Sequence, residues 1–107
     1  MAILHAKPCE VIDVGPRGVA LKTEKTKTLV KTARLEVIRL AVPAGKQIQE
    51  HQVKGEVTVH CLEGHVAFTA GGVAQDLKTG QMLYMEGNQP HSLRGVEDSS
   101  VLVTILL

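Results

Sequence analysis

The chain has 107 residues, enough for one hydrophobic core and too few for two. Of its 47 apolar residues, 31 are Val, Leu or Ile, and the aromatic rings are limited to Phe68 and Tyr84, so the core must be aliphatic and largely β-branched. A net charge of +1 with 21% charged residues excludes an acidic disordered chain, and it supplies neither the positive excess nor the stacking rings by which nucleic acid is held.

At the N-terminus there is no basic segment followed by a long apolar one, and Ala2 stands where myristoylation needs glycine. The longest nearly unbroken apolar run, Val101 to Leu107, is far short of the roughly 20 residues needed to cross a bilayer. A cytoplasmic protein without a membrane partner is expected. Cys9 and Cys61 have no CxxC spacing, which predicts two free thiols in a reducing compartment. The stretch Lys22 to Lys31 alternates Lys with Thr, the composition of a solvated edge strand rather than of a basic binding patch.

From Arg34 onward short β-type runs are cut by turn residues at regular intervals, which predicts a sandwich or barrel. Arg34–Val42 ends at Pro43-Ala44-Gly45, and Lys46–Gln52 is broken by Lys54-Gly55. Val57–Leu62 and His65–Ala70 flank Glu63-Gly64, and Gly71-Gly72 precedes Val73–Leu77; both gaps have the length of tight hairpin loops. Gln81–Met85, His91–Arg94 and a final strand to Leu107 complete the series. No segment has a sustained 3.6-residue apolar period, so no long helix is expected. Met82 to Met85 is apolar at both parities, which predicts a strand covered on both faces, by core on one and by a second subunit on the other. A homodimer follows as an expectation.

Residues Pro43 to Gly64, Pro-Ala-Gly-Lys-Gln-Ile-Gln-Glu-His-Gln-Val-Lys-Gly-Glu-Val-Thr-Val-His-Cys-Leu-Glu-Gly, resemble the first motif of the cupin superfamily, G-x5-H-x-H-x3-E-x6-G, with Gly45, His51 and Gly64 in place. About sixteen residues on, Gly80-x10-His91 resembles the second motif, G-x5-P-x-G-x2-H-x3-N, with Pro90 immediately before the histidine. The resemblance implies an all-β, double-stranded β-helix or jelly-roll barrel over 1–107 as a single domain, with the motifs at about 45–64 and 80–95. In cupins that hold a metal, two histidines and a glutamate of the first motif converge with the histidine of the second; here the second histidine is Val53 and the glutamate is Val57. Glu56 sits one residue off, and a one-residue shift in a strand points a side chain to the opposite face. The second motif departs at Glu86, Asn88 and Gly95.

The resemblance places His51 and His91 on inward-facing positions at the barrel mouth, as candidate catalytic residues in a pocket with Gln49, Val53, Val57 and Val59. Gln49 is assigned there because it shares strand parity with His51. The competing reading is a pair of interior histidines, hydrogen-bonded and inert. No cofactor is expected; a divalent metal (Zn, Mn, Fe or Ni) would have only His51 and His91, short of the three protein ligands such sites normally use. If Val57 faces inward then Val59 and Cys61 do too, and His60 faces outward; His65 and His5 have no spacing to recommend them. The expected partner is a small organic molecule, bound for metal-independent isomerisation or epimerisation with an imidazole as general base. The alternatives are a non-catalytic sensor or binding module, and a relative of the metal-dependent dioxygenases.

Overall fold

Alternating β-branched residues favour extended backbone, and strands dominate the computed structural model, which describes residues 5–107. In chain order they are β1 Lys27–Lys31, β2 Leu35–Val42, β3 Gln47–His51, β4 Val57–Glu63, β5 His65–Ala70, β6 Val73–Lys78, β7 Met82–Met85, β8 His91–Gly95 and β9 Ser99–Leu106. They form two antiparallel sheets, a larger one in the order β1-β2-β9-β4-β7 and a smaller one in the order β3-β8-β5-β6. The helical element among the described residues is one short 3-10 turn, Gly18–Thr23, and no helix is long and apolar enough to cross a membrane. The edge strand expected from Lys22 is shorter than its composition suggested. Lys22 lies in the 3-10 turn, and β1, at the edge of the larger sheet, begins at Lys27.

The core lies between the sheets. On β4 the inward parity is Val57, Val59 and Cys61, which face Ile105, Val103 and Val101 across the β9 ladder. The smaller sheet answers with Val66, Phe68, Leu77 and Leu93, and Phe68, 1% exposed, is the largest fully buried side chain. On β7, Leu83 and Met85 turn toward this core, whereas Met82 and Tyr84 remain 58% exposed on the outer face.

Gly71-Gly72 closes the β5–β6 hairpin with both residues at positive φ, as a primed two-residue turn requires. Glu63-Gly64 is different. It does not close a hairpin, because β4 belongs to the larger sheet and β5 to the smaller; the two residues carry the chain round a corner between the layers. Gly64 has φ +99, and a Cβ there would lie 2.4 Å from the Asp98 carbonyl oxygen and 2.8 Å from the Ser99 Cα. The Ser99 hydroxyl accepts from the His65 N–H at 2.9 Å. On the other side of the corner, the Glu63 carboxylate accepts from the Arg17 and Gly18 N–H groups at 2.8 and 3.0 Å, which ties the N-terminal segment to the barrel.

Both cysteines are free, Cys9 exposed and Cys61 buried. Burial pushes the Cys61 thiol above its ordinary range, outweighing its hydrogen bond to the Glu63 carbonyl. Without denaturant, a thiol reagent should label Cys9 rapidly and Cys61 only as fast as the barrel opens. Equal labelling rates would place the β4 side chains on the wrong face.

Candidate functional site

Pairing of β3 with β8 sets the site. Ile48 lies opposite Leu93 and His51 opposite His91, so three residues of β3 span two of β8. The extra residue is a β-bulge, and it brings Ile48 and His51 to the same inner face despite their odd separation. Gln49 is turned out to solvent by the same bulge, so its expected parity with His51 does not hold; its backbone carbonyl, not its amide side chain, meets the His51 ring. The two imidazoles lie edge to face, 4.2 Å between centroids at 61°. His91 also stacks on Phe68 at 5.7 Å and 13°, which makes it the inner member of the pair, while His51 is exposed.

The tautomers follow from the hydrogen bonds. His51 Nδ1 lies 3.0 Å from the Gln49 carbonyl oxygen and His91 Nδ1 2.8 Å from that of Gln89. A carbonyl oxygen can only accept, so each Nδ1 carries a proton, and a ring in its neutral form presents its lone pair at Nε2. For His91, burial lowers the pKa most and the neighbouring His51 adds to it, against the opposing pull of the Gln89 carbonyl. The inner imidazole is therefore neutral near pH 7.

The loop before β8 fixes His91. Asn88 adopts φ 63 and its N–H donates to the Val53 carbonyl at 2.7 Å, which pins the loop to the segment entering β4. Asparagine tolerates this left-handed conformation, so its place at a glycine position of the second motif is physically conservative. Gly87 does need to be glycine, since a Cβ there would sit 2.1 Å from the Lys54 carbonyl oxygen.

Among the other expected lining residues, Val53 is half-buried against the core, and Val57 and Val59 are 3% and 2% exposed. Both belong to the same packed core as Phe68, on which His91 stacks. Several surface cavities open elsewhere on the described residues, one of them lined by Arg39. Glu56 is on the outer face, where its carboxylate accepts from the Tyr84 hydroxyl at 2.6 Å. His60 is also outward, opposite Met82 and Leu102, and His65 pairs with Asp76 at 2.8 Å on the outside of the smaller sheet.

No group of three His, Cys, Asp or Glu side chains converges among the described residues. Two imidazoles without a third donor do not fit a catalytic metal that needs three protein ligands. Sequence reasoning missed Arg39, which is 2% exposed although it lies on β2. The available signal was a lone charge inside the run Val37-Ile-Arg-Leu-Ala-Val42.

No curated protein matches the sequence. A conserved protein of unknown function from Streptococcus pyogenes shares the fold at TM-score 0.76 and 23% identity, over 99% of this chain and 94% of that one. A cupin superfamily protein from Desulfitobacterium hafniense gives TM-score 0.79 at 18% identity, covering 95% and 99%. KdgF from Halomonas sp. gives 0.71 at 18%, covering 76% and 77%. At these identities the likeness is one of fold. The cupin-domain family model, in contrast, matches the sequence itself over residues 38–106, a span that takes in both histidines, the bulge that aligns them and the corner at Gly64. On that match the chain belongs to the cupin domain family.

Proposed function

We propose that this cupin binds a small organic molecule at the barrel mouth, with donor groups of the ligand on Nε2 of His51 and His91, and that the pair acts as general base in a metal-independent isomerisation or epimerisation. The observation that carries the reading is the fixed tautomer of both rings, Nδ1 held by the Gln49 and Gln89 carbonyl oxygens. A neutral imidazole with its lone pair turned to the ligand is ready to take a proton from carbon or oxygen, which general-base catalysis near pH 7 requires. His51, open to solvent, is placed to pass the proton on, while His91 is held still against Phe68. Binding without turnover is the second reading, favoured by the burial of Val57 and Val59, which withholds both expected lining residues from a ligand.

A screen of hydroxy-carbonyl metabolites in D2O, followed by NMR, tests both. Saturable binding is expected, with deuterium entering at the carbon beside the carbonyl, and exchange should fall by about 10²-fold or more in His51→Ala. Binding without exchange favours the second reading. Binding that survives both His51→Ala and His91→Gln removes the site.

The lowered His91 pKa also makes stability depend on pH. The unfolded imidazole takes up a proton near 6.5 while the buried one resists it, so the contribution is present above that value and is lost as pH falls toward the folded pKa. Denaturation midpoints should drop on acidification below about pH 6.5. His91→Gln should flatten that part of the profile, and an unchanged slope in the variant would assign it to another group.

We take the protein to act in the cytoplasm, where free thiols persist, and as a homodimer through the outer face of β7. Met82 and Tyr84 are each 58% exposed there, beside Leu106 at 49%. Light scattering should give twice the 11.5 kDa of one chain at micromolar concentration, and Met82→Glu with Tyr84→Glu should return it to one. A wild-type mass of one chain would refute the dimer.

A further inference from the structure

Arg39 is a buried charge that the barrel mouth does not use. Its side chain leaves β2 on the outer face, beneath the N-terminal segment, and is 2% exposed. Nε donates to the Ser100 hydroxyl and Nη2 to the Gly15 carbonyl, both at 2.7 Å. Nη1 is buried with no partner among the described residues. Both acceptors are uncharged, and no carboxylate of the described residues lies within 4 Å of the guanidinium. Arginine cannot shed its proton to escape burial, so a guanidinium withdrawn from water calls for a counter-charge.

Arg39 lines a cavity of about 360 Å³ between the β1–β2 face and the N-terminal segment. Lys27 and Arg17 share the lining, as do Glu10, Asp13 and Glu24. These acids have partners of their own. Glu10 accepts from the Lys7 N–H and Asp13 from the Gly15 N–H, each at 2.8 Å. Arg17 stands 3.8 Å from both Asp13 and Glu24. Burial and then Arg17 hold the Arg39 pKa below its ordinary value in spite of Glu24, Glu63 and Asp13, which is the mark of a charge incompletely offset. Lys27, like Arg39, has no carboxylate within 4 Å among the described residues.

We infer that this cavity is an anion site, taking the carboxylate or phosphate group of a small metabolite against Arg39, with Lys27 at its side. A planar guanidinium whose two Nη1 N–H groups are unused suits an oxyanion better than a lone ammonium does, because its fork matches two oxygens at once. The cavity lies on the outside of the larger sheet and the imidazoles lie on the inner face of the smaller one, so either site can fail without the other.

The test titrates the whole protein with sodium phosphate and, separately, sodium acetate, against sodium chloride at matched ionic strength. Tm and the Arg39 Nε–H resonance are followed. The expected result is a saturable rise in Tm above the chloride baseline with a shift of that resonance, as ligand linkage requires. A response to phosphate alone or to acetate alone assigns the group. Lys27→Met, at an exposed strand position, should weaken the midpoint several-fold, and Glu24→Gln should tighten it by removing a competing negative charge. Arg39→Met should abolish the response; if that variant does not fold, Lys27→Met and Glu24→Gln carry the test. A wild-type response no larger than chloride's overturns the inference. So does an anion response that neither Lys27→Met nor Glu24→Gln changes.

Discussion

The corner at Glu63-Gly64 is the constraint on which the rest depends. Here the chain passes from the larger sheet to the smaller with one residue between strands, where the Gly64 backbone meets Asp98 and Ser99 so closely that no side chain fits. Ser99 then bonds the His65 N–H and fixes the phase of β5 relative to β9. With that phase set, Val66 and Phe68 face Val59, Cys61 and Val101 instead of solvent, and one aliphatic core forms from two sheets. The adjacent Glu63 carboxylate gathers the Arg17 and Gly18 amides, so the same corner fastens the N-terminal segment over the outer face.

The imidazole pair inherits its geometry from that arrangement together with one irregularity. Without the bulge between Ile48 and His51, strict alternation would send His51 outward whenever Ile48 packs inward. The bulge relieves the conflict, and the Gly87-Asn88 clamp on Lys54 and Val53 places His91 opposite. Two imidazoles in contact could not both be protonated at low cost. Burial keeps His91 neutral, and Nδ1–H held on a backbone carbonyl turns the Nε2 of each ring the same chemical way, toward the rim.

Much of this was legible in the sequence because period-two patterning is a local signal. The inward set Val57, Val59 and Cys61 followed from parity, as did the outward placing of Glu56 and His60, and the glycine pair at 71 and 72 announced its hairpin. The cupin motifs supplied His51 and His91 and, through them, the fold. What escaped was set by contacts between distant residues. Glu63-Gly64 reads as a hairpin by its length, and only the partners of β4 and β5, which lie elsewhere in the chain, make it a corner. Gln49 was misplaced because a bulge has no composition of its own. Arg39 escaped for a related reason: its burial depends on residues 5–24, which form little regular structure and whose docking was not written in any periodicity.

Arg39 also shows how β2 serves two environments. Ile38, Leu40 and Val42 face the core side, while Arg39 and Ala41 face the side that an antiparallel sheet usually gives to water. At this end the water has been displaced: Arg39, Ala41 and Ser100 are all buried under the N-terminal segment. At the other end of the same face Met82 and Tyr84 stay bare. A segment that merely sealed apolar surface would lie over Met82 and Tyr84. It lies instead over a guanidinium, the Ser100 hydroxyl that accepts from it and the single methyl of Ala41, where desolvation is costly and the gain from apolar burial is small. Its placement is therefore governed by polar contacts, the Glu63 carboxylate on two amides and Arg39 on the Gly15 carbonyl, and the covered face is built around a charge rather than around a second core.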